Sequence, residues 1–198
     1  MAINQSGGTV TARNRFALGS YSSADKSTTY NMTGGSFVQA GAGTLITAAL
    51  PPVSTIAVEA GTLALSADCD NAESEAQRTL SIASGATFDL GGHALTQPVV
   101  KGDGTISTGT LVVSDKIIAK PGDCLEASGT IDLSNAEIEV DDPESLDAPF
   151  TFLKPIAGQT LTVTGVPTPT NLPNGWEVSV SANGTGRIRR RGFCIYIR

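Results

Sequence analysis

A chain of 198 residues with 16% charged residues, 5% aromatics and a formal charge of −6 is long enough for one substantial core or two small ones. The negative balance weighs against nucleic acid as a general partner, because phosphate binding needs a positive field. Cys69, Cys124, Cys194 and the single histidine, His93, form no set with zinc-ligand spacing, and no apolar run approaches the roughly 20 residues of a membrane-spanning helix.

The N-terminus, Met1 to Gly8, has neither a basic n-region nor an apolar h-region, so it does not read as a signal peptide. We read it as the start of a segment excised from a longer protein, with residues 1–33 as a cap or lead-in coils. From there a phrase repeats. Gly43-Thr44-Leu45 is echoed by Gly61-Thr62-Leu63, more loosely by Gly85-Ala86-Thr87-Phe88, and then by Gly104-Thr105-Ile106, Gly109-Thr110-Leu111 and Gly129-Thr130-Ile131. The spacing of about 20 residues is the size of one solenoid coil.

Short alternating strands follow these glycines: Leu63/Leu65, Leu80/Ile82, Phe88/Leu90, Leu111/Val113, Ile131/Leu133 and Ile138/Val140. A period of two buries one face and wets the other, and glycine suits the corner before each strand. The stretch from Asp70 to Arg78 is the one local helical candidate and reads as a looped-out insertion. Alternation continues at Phe150/Phe152, Leu161/Val163 and Val178/Val180.

The expected fold is all-β: a right-handed parallel β-helix with coils of about 20 residues, in which Leu45, Leu63 and Leu111 face one continuous core. Repeats span 34–148, and 149–198 form closing strands and a cap. The alternative is an antiparallel β-sandwich, whose strands are equally short but do not usually repeat a phrase.

Gly41-Ala42-Gly43-Thr44-Leu45-Ile46, Val58 to Leu65, Leu80 to His93 and Val100 to Ile106 together resemble the autotransporter-associated β-strand repeat of bacterial surface proteins. The resemblance covers roughly residues 34–140. A weaker likeness to the segment closing such repeats runs through Phe150-Thr151-Phe152-Leu153 and Leu172 to Val180. It implies export, an extracellular or cell-surface location, and a role as spacer or adhesin whose partners are host or self glycans or surface proteins. Nothing after residue 140 is long enough for the membrane barrel of a full autotransporter, so self-translocation is not expected of this segment.

Several residues invite a chemical reading. Glu137, Glu139, Asp141, Asp142, Glu144 and Asp147 are the densest acidic group, and a polysaccharide-cleaving β-helix would need such carboxylates stacked on neighbouring coils. Glu137 and Glu139 alternate with Ile138 and Val140, however, and Asp141-Asp142-Pro143-Glu144 has turn chemistry. His93 follows Gly91-Gly92 and reads as a corner residue. Trp176, Tyr21 and Tyr30 are the candidate sugar platforms. Arg187, Arg189, Arg190 and Arg191 read as charges that guard a terminal strand against edge pairing, or as an anion-binding patch. Cys194 lies beyond them, in the last strand. No catalytic, cofactor or metal residue is assigned. The expected function is a non-enzymatic structural or adhesive stalk, and the alternative is a β-helix that binds or cleaves carbohydrate.

Overall fold

The computed structural model describes residues 2–13, 28–41, 54–71 and 78–192. They form a parallel β-helix. Its first coil holds β1 (Ala2–Gln5) and β2 (Thr9–Ala12), the second β3 (Thr28–Met32) and β4 (Ser36–Gln39), and the third β5 (Ser54–Val58), β6 (Thr62–Leu65) and β7 (Cys69–Asp70). Then β8 (Arg78–Ile82) and β9 (Thr87–Asp89) lead into the long β10 (Ala94–Gly102), and β11 (Thr105–Ser107) leads into the long β12 (Thr110–Ala119). The parallel part ends with β13 (Leu125–Ala127), β14 (Gly129–Asp132), β15 (Glu137–Val140), β16 (Phe150–Pro155), β17 (Leu161–Thr164) and β18 (Thr168–Pro169). A final pair, β19 (Trp176–Val180) and β20 (Gly186–Arg190), closes the described chain.

These strands build three faces. On face one, β1, β3, β5, β8, the C-terminal halves of β10 and β12, β15 and β18 pair in parallel. On face two the order is β2, β4, β6, β9, β11, β13, β16. On face three it is β7, the N-terminal halves of β10 and β12, β14, β17. The long strands turn from face three to face one, and in β10 the register shifts between Gln97 and Val99. Pro98 sits at that shift, where its missing N–H costs no ladder bond.

Parallel register places like residues above like. Tyr30, Ile56, Leu80, Val100, Ile117 and Ile138 stack in one inward column, and Phe37, Leu63, Phe88 and Ile106 stack in another. Leu95, Leu111, Ile131 and Val163 form the third. The columns merge into a single apolar core that contains both Leu63 and Leu111. Leu45 lies outside the described residues.

The repeated glycine phrase resolves into two different corners. Gly35 and Gly61 precede strands of face two, as does Gly104, whereas Gly109 and Gly129 stand at the entrance to face three. Gly104 and Gly109 thus belong to successive corners of one coil. Steps along face two vary: 27 residues from Thr9 to Ser36, 26 from Ser36 to Thr62, 25 from Thr62 to Thr87, 18 from Thr87 to Thr105, 21 from Thr105 to Glu126 and 28 from Glu126 to Lys154.

The corner glycines are required by contact as well as by conformation. A Cβ on Gly61, at φ +85°, would lie 2.3 Å from the Gly35 carbonyl oxygen, and one on Gly129, at φ +82°, 2.4 Å from that of Gly109. Coils 4.8 Å apart leave no room there for a side chain.

The interior is not wholly apolar. Arg78 is only 2% exposed, and Asn71 and Gln97 are fully buried. Arg78 Nη1 donates to the Asn71 carbonyl at 3.0 Å, Asn71 Nδ2 donates to Gln97 Oε1 at 2.8 Å, and Gln97 Nε2 donates to the Arg78 carbonyl at 2.7 Å. The ring of bonds stitches the end of face three to the start of face one, at the corner flanking residues 72–77. A charge this deep is tolerated only when hydrogen-bonded.

Three substitutions test this architecture by denaturant unfolding. Leu63→Asp is expected to cost about 3 kcal/mol or more, because it puts a carboxylate at a fully buried column position; an unchanged midpoint would place Leu63 outside the core. Gly61→Ala is expected to cost about 2 kcal/mol from its positive φ and the Gly35 carbonyl, whereas Ala64→Ser, on the outward side of the same strand, changes stability by less than about 0.5 kcal/mol.

Candidate functional site

The acidic group takes up the outward side of the last parallel coils. In β15, Ile138 and Val140 point into the core, and the alternate Glu137 and Glu139 point outward. Lys116, one coil earlier, donates to Glu139 Oε2 at 2.8 Å, and this hydrogen bond raises the lysine pKa above its ordinary value. Pro143–Ser145 form a short 3-10 turn, entered through Asp142 at φ +58°. Glu137, Glu139 and the turn acids therefore sit where the alternation predicts. Asp141 borders a shallow depression of about 260 Å³ that also holds Asp103, Asp123, Lys101 and Lys120.

His93 occupies a corner, its Nδ1 3.4 Å from Asp68 Oδ1. The same Asp68 oxygen accepts the Ala94 N–H at 2.9 Å, so the aspartate ties two coils together while touching the imidazole. Among the described residues, no cluster of three or more His, Cys, Asp or Glu is placed to hold a metal ion. Cys69 and Cys124 are both free thiols. Burial, followed by the charge of Asp68, pushes the Cys69 thiol up to about 11, and burial likewise raises Cys124. Both therefore stay protonated and weakly nucleophilic at neutral pH. Cys194 lies outside the described residues.

Of the candidate sugar platforms, Tyr30 is in the core, edge-on to Phe37 at 5.5 Å, with its hydroxyl donating to Gln5 Oε1. Tyr21 lies outside the described residues. Trp176 is 7% exposed, and the Arg190 guanidinium stands over its ring at 5.4 Å, a cation–π arrangement that occupies a ring face. Neither described ring is a bare platform.

Two of the arginines share one carboxylate and a third lies over a ring. β20 pairs antiparallel with β16 and with β19, so it is an interior strand of the closing sheet and β19 is the edge. Arg189 Nε lies 3.0 Å from Glu177 Oε1, and Arg191 Nε lies 4.0 Å from Glu177 Oε2. With Arg190 on Trp176, three of the four cations have a partner. Asn174, Gly175, Trp176, Arg190, Arg191 and Gly192 line a groove of about 650 Å³. It brings one aromatic ring and two cations together.

One heavily hydrogen-bonded carboxylate was not singled out by the sequence. Asp89 Oδ1 accepts the Gly91 N–H at 3.0 Å, the Ser107 hydroxyl at 3.0 Å and the Thr108 hydroxyl at 2.8 Å. Thr108, at φ +39°, is held further by its N–H donating to Ser128 Oγ at 3.1 Å. Partial burial works against the Asp89 anion, but the three donors prevail and hold its pKa below the ordinary value. The arrangement fastens one coil to the next through side chains, which is a structural task. Among the described residues, no helix is long and apolar enough to cross a membrane.

No protein-family model, curated protein or solved structure matches the chain.

Asp89 gives a pH dependence with a definite sign. A carboxylate whose pKa is lower folded than unfolded stabilises the fold above its unfolded pKa, near 3.9, and loses that contribution as pH falls through the folded value. Asp89→Asn is expected to lower stability by about 1 kcal/mol at pH 7 and to flatten the decline in urea midpoint on acidification below about pH 4. An Asn variant that matches the parent at every pH would remove Asp89 from the stabilising interactions.

Proposed function

We propose that the chain is a structural or adhesive stalk segment of a secreted or cell-surface bacterial protein, similar to an autotransporter passenger and without a discrete active site. The observation that carries this reading is the in-register stacking: the same inward columns run through successive coils, and the outward positions of face two repeat Thr9, Ser36, Thr62, Thr87 and Thr105 in register. Such a rod transmits length and presents flat, hydroxyl-rich faces. The groups with chemical potential support the same reading, because Glu139 is engaged by Lys116, Glu177 by Arg189 and Asp89 by three donors on its own and the next coil.

The reading is tested by incubating the purified chain with plant, animal and bacterial polysaccharides, with and without calcium, and following new reducing ends or unsaturated products. No turnover is expected. A functional enzyme working at even about 1 per second is readily detected, and activity lost in Asp141→Asn or Asp142→Asn would instead establish a carbohydrate-cleaving β-helix. Glycan binding without turnover would identify the stalk as an adhesin.

A further inference from the structure

Four arginines that run together in the sequence are parted by the alternation of β20. Ile188 points into the core, so Arg187 and Arg189 point to the opposite, outward side of the closing sheet, while Arg190 lies over Trp176. Among the described residues, Arg187 is the one of the four with no hydrogen bond, ion pair or ring contact. In register it stands between Thr151 of β16 and Ser179 of β19, two uncharged neighbours. Arg189 spends its Nε on Glu177 and is still 55% exposed. Arg191, 4.0 Å from the same carboxylate, is 71% exposed. Three cations thus share one anion on this flank of a chain whose formal charge is −6.

A concavity of about 590 Å³ opens beside Arg187 and Arg189, and its other polar lining is Ser179, Ser181, Asn183 and Thr185. The turn that supplies these groups is fixed. Ser181 N–H donates to the Thr185 carbonyl at 3.0 Å, and Gly184 N–H donates to the Ser181 carbonyl at 2.9 Å. Asn183 Oδ1 accepts the Ser181 hydroxyl at 2.5 Å and the Thr185 N–H at 3.2 Å, which orients the amide and leaves its Nδ2 donors open. Because β20 is paired on both sides, the backbone beneath Arg187 and Arg189 is fixed as well. A ligand therefore meets donors that are already in place.

We propose that this flank of the closing sheet binds an acidic polysaccharide, one that carries carboxylate or sulfate groups on its sugar units. A guanidinium is a planar fork that takes two oxygens of such a group in parallel hydrogen bonds, and the fork of Arg187 is unspent. Arg187 and Arg189 lie two positions apart on one face, roughly 6.5–7 Å along the strand, which suits a polymer with repeated charges. The hydroxyls of Ser179 and Ser181 and the amide of Asn183 supply the donors and acceptors that sugar hydroxyls need. Other polyanions fit less well. No aromatic ring lines the concavity, so nucleic-acid bases have nothing to stack on. Three arginines also fall short of the roughly four or more basic residues that hold an anionic lipid surface. The site faces sideways from the sheet, not along the solenoid axis, and it stands whether or not the chain serves as a stalk.

The whole chain is titrated with heparin, polygalacturonate and neutral dextran by biolayer interferometry. At least one of the two acidic polymers is expected to bind, dextran is not, and affinity falls as salt rises from about 50 to 300 mM. Arg187→Gln is expected to weaken binding by about tenfold or more. Lys101→Gln with Lys120→Gln, which strips two cations from the depression beside Asp141, changes it less than that single substitution does. Hydrogen exchange on the unaltered chain needs no variant: the bound polymer raises protection at Trp176–Val180 and Gly186–Arg190 and not at Thr105–Ser107. Failure of both acidic polymers to bind, equal binding of dextran, an Arg187→Gln chain that binds as the parent does, or protection confined to other strands would each overturn the proposal. So would tighter binding of an oligothymidylate or of phosphatidylserine vesicles than of either acidic polysaccharide.

Discussion

Parallel, in-register pairing between successive coils governs this structure. Once β3 hydrogen-bonds to β5 and β5 to β8 without a shift, Tyr30 must lie over Ile56 and Ile56 over Leu80. The backbone ladder therefore dictates side-chain chemistry. An inward position has to be apolar, or polar with a partner on an adjacent coil, because its neighbours above and below are fixed at one strand spacing. The corners obey the same rule, since the carbonyl of Gly35 projects where the next coil must turn, and Gly61 is what fits.

Stability in such a fold is close to a sum of nearest-neighbour terms along one axis. Interior coils such as that of β5 and β6 are covered on both sides, so Ile56, Val58 and Leu63 are fully buried. A coil covered on one side only recovers less. The C-terminal end turns back on itself, placing Phe152 and Ile188 in the core across an antiparallel junction. In the first described coil, Gln5 donates to the Ser36 carbonyl, Asn4 accepts from Asn31, and the Thr9 hydroxyl meets that of Ser36.

Much of this was legible in the sequence because period-two alternation and stacking impose the same constraint. Leu63/Leu65, Leu80/Ile82 and Ile138/Val140 are all buried as read. The glycine phrase was legible as a corner but not as two kinds of corner, because Gly104-Thr105-Ile106 and Gly109-Thr110-Leu111 satisfy identical local demands on different faces. Arg78 was hidden for a different reason. Read as the end of a looped-out stretch that begins at Asp70, it gives no sign of burial, and only the meeting of faces three and one brings Asn71 and Gln97 to it. Alternation also lost force at the C-terminus: Val178 and Val180 are half-buried because β19 is an edge strand with a single partner.

The same regularity bears on where chemistry can arise. A repeated coil copies its outward residues into columns, which spreads functional groups along the axis instead of converging them, as the hydroxyl column from Thr9 to Thr105 does. Convergence requires a break in the repeat. The described chain has two such breaks: the corner beside residues 72–77, where Arg78, Asn71 and Gln97 turn inward, and the closing strands, where Trp176, Arg190 and Arg191 gather around a groove. The first spends its polar atoms on one another and on the backbone. The second leaves its groove beside Arg190 and Arg191, while Arg190 covers a face of the Trp176 ring.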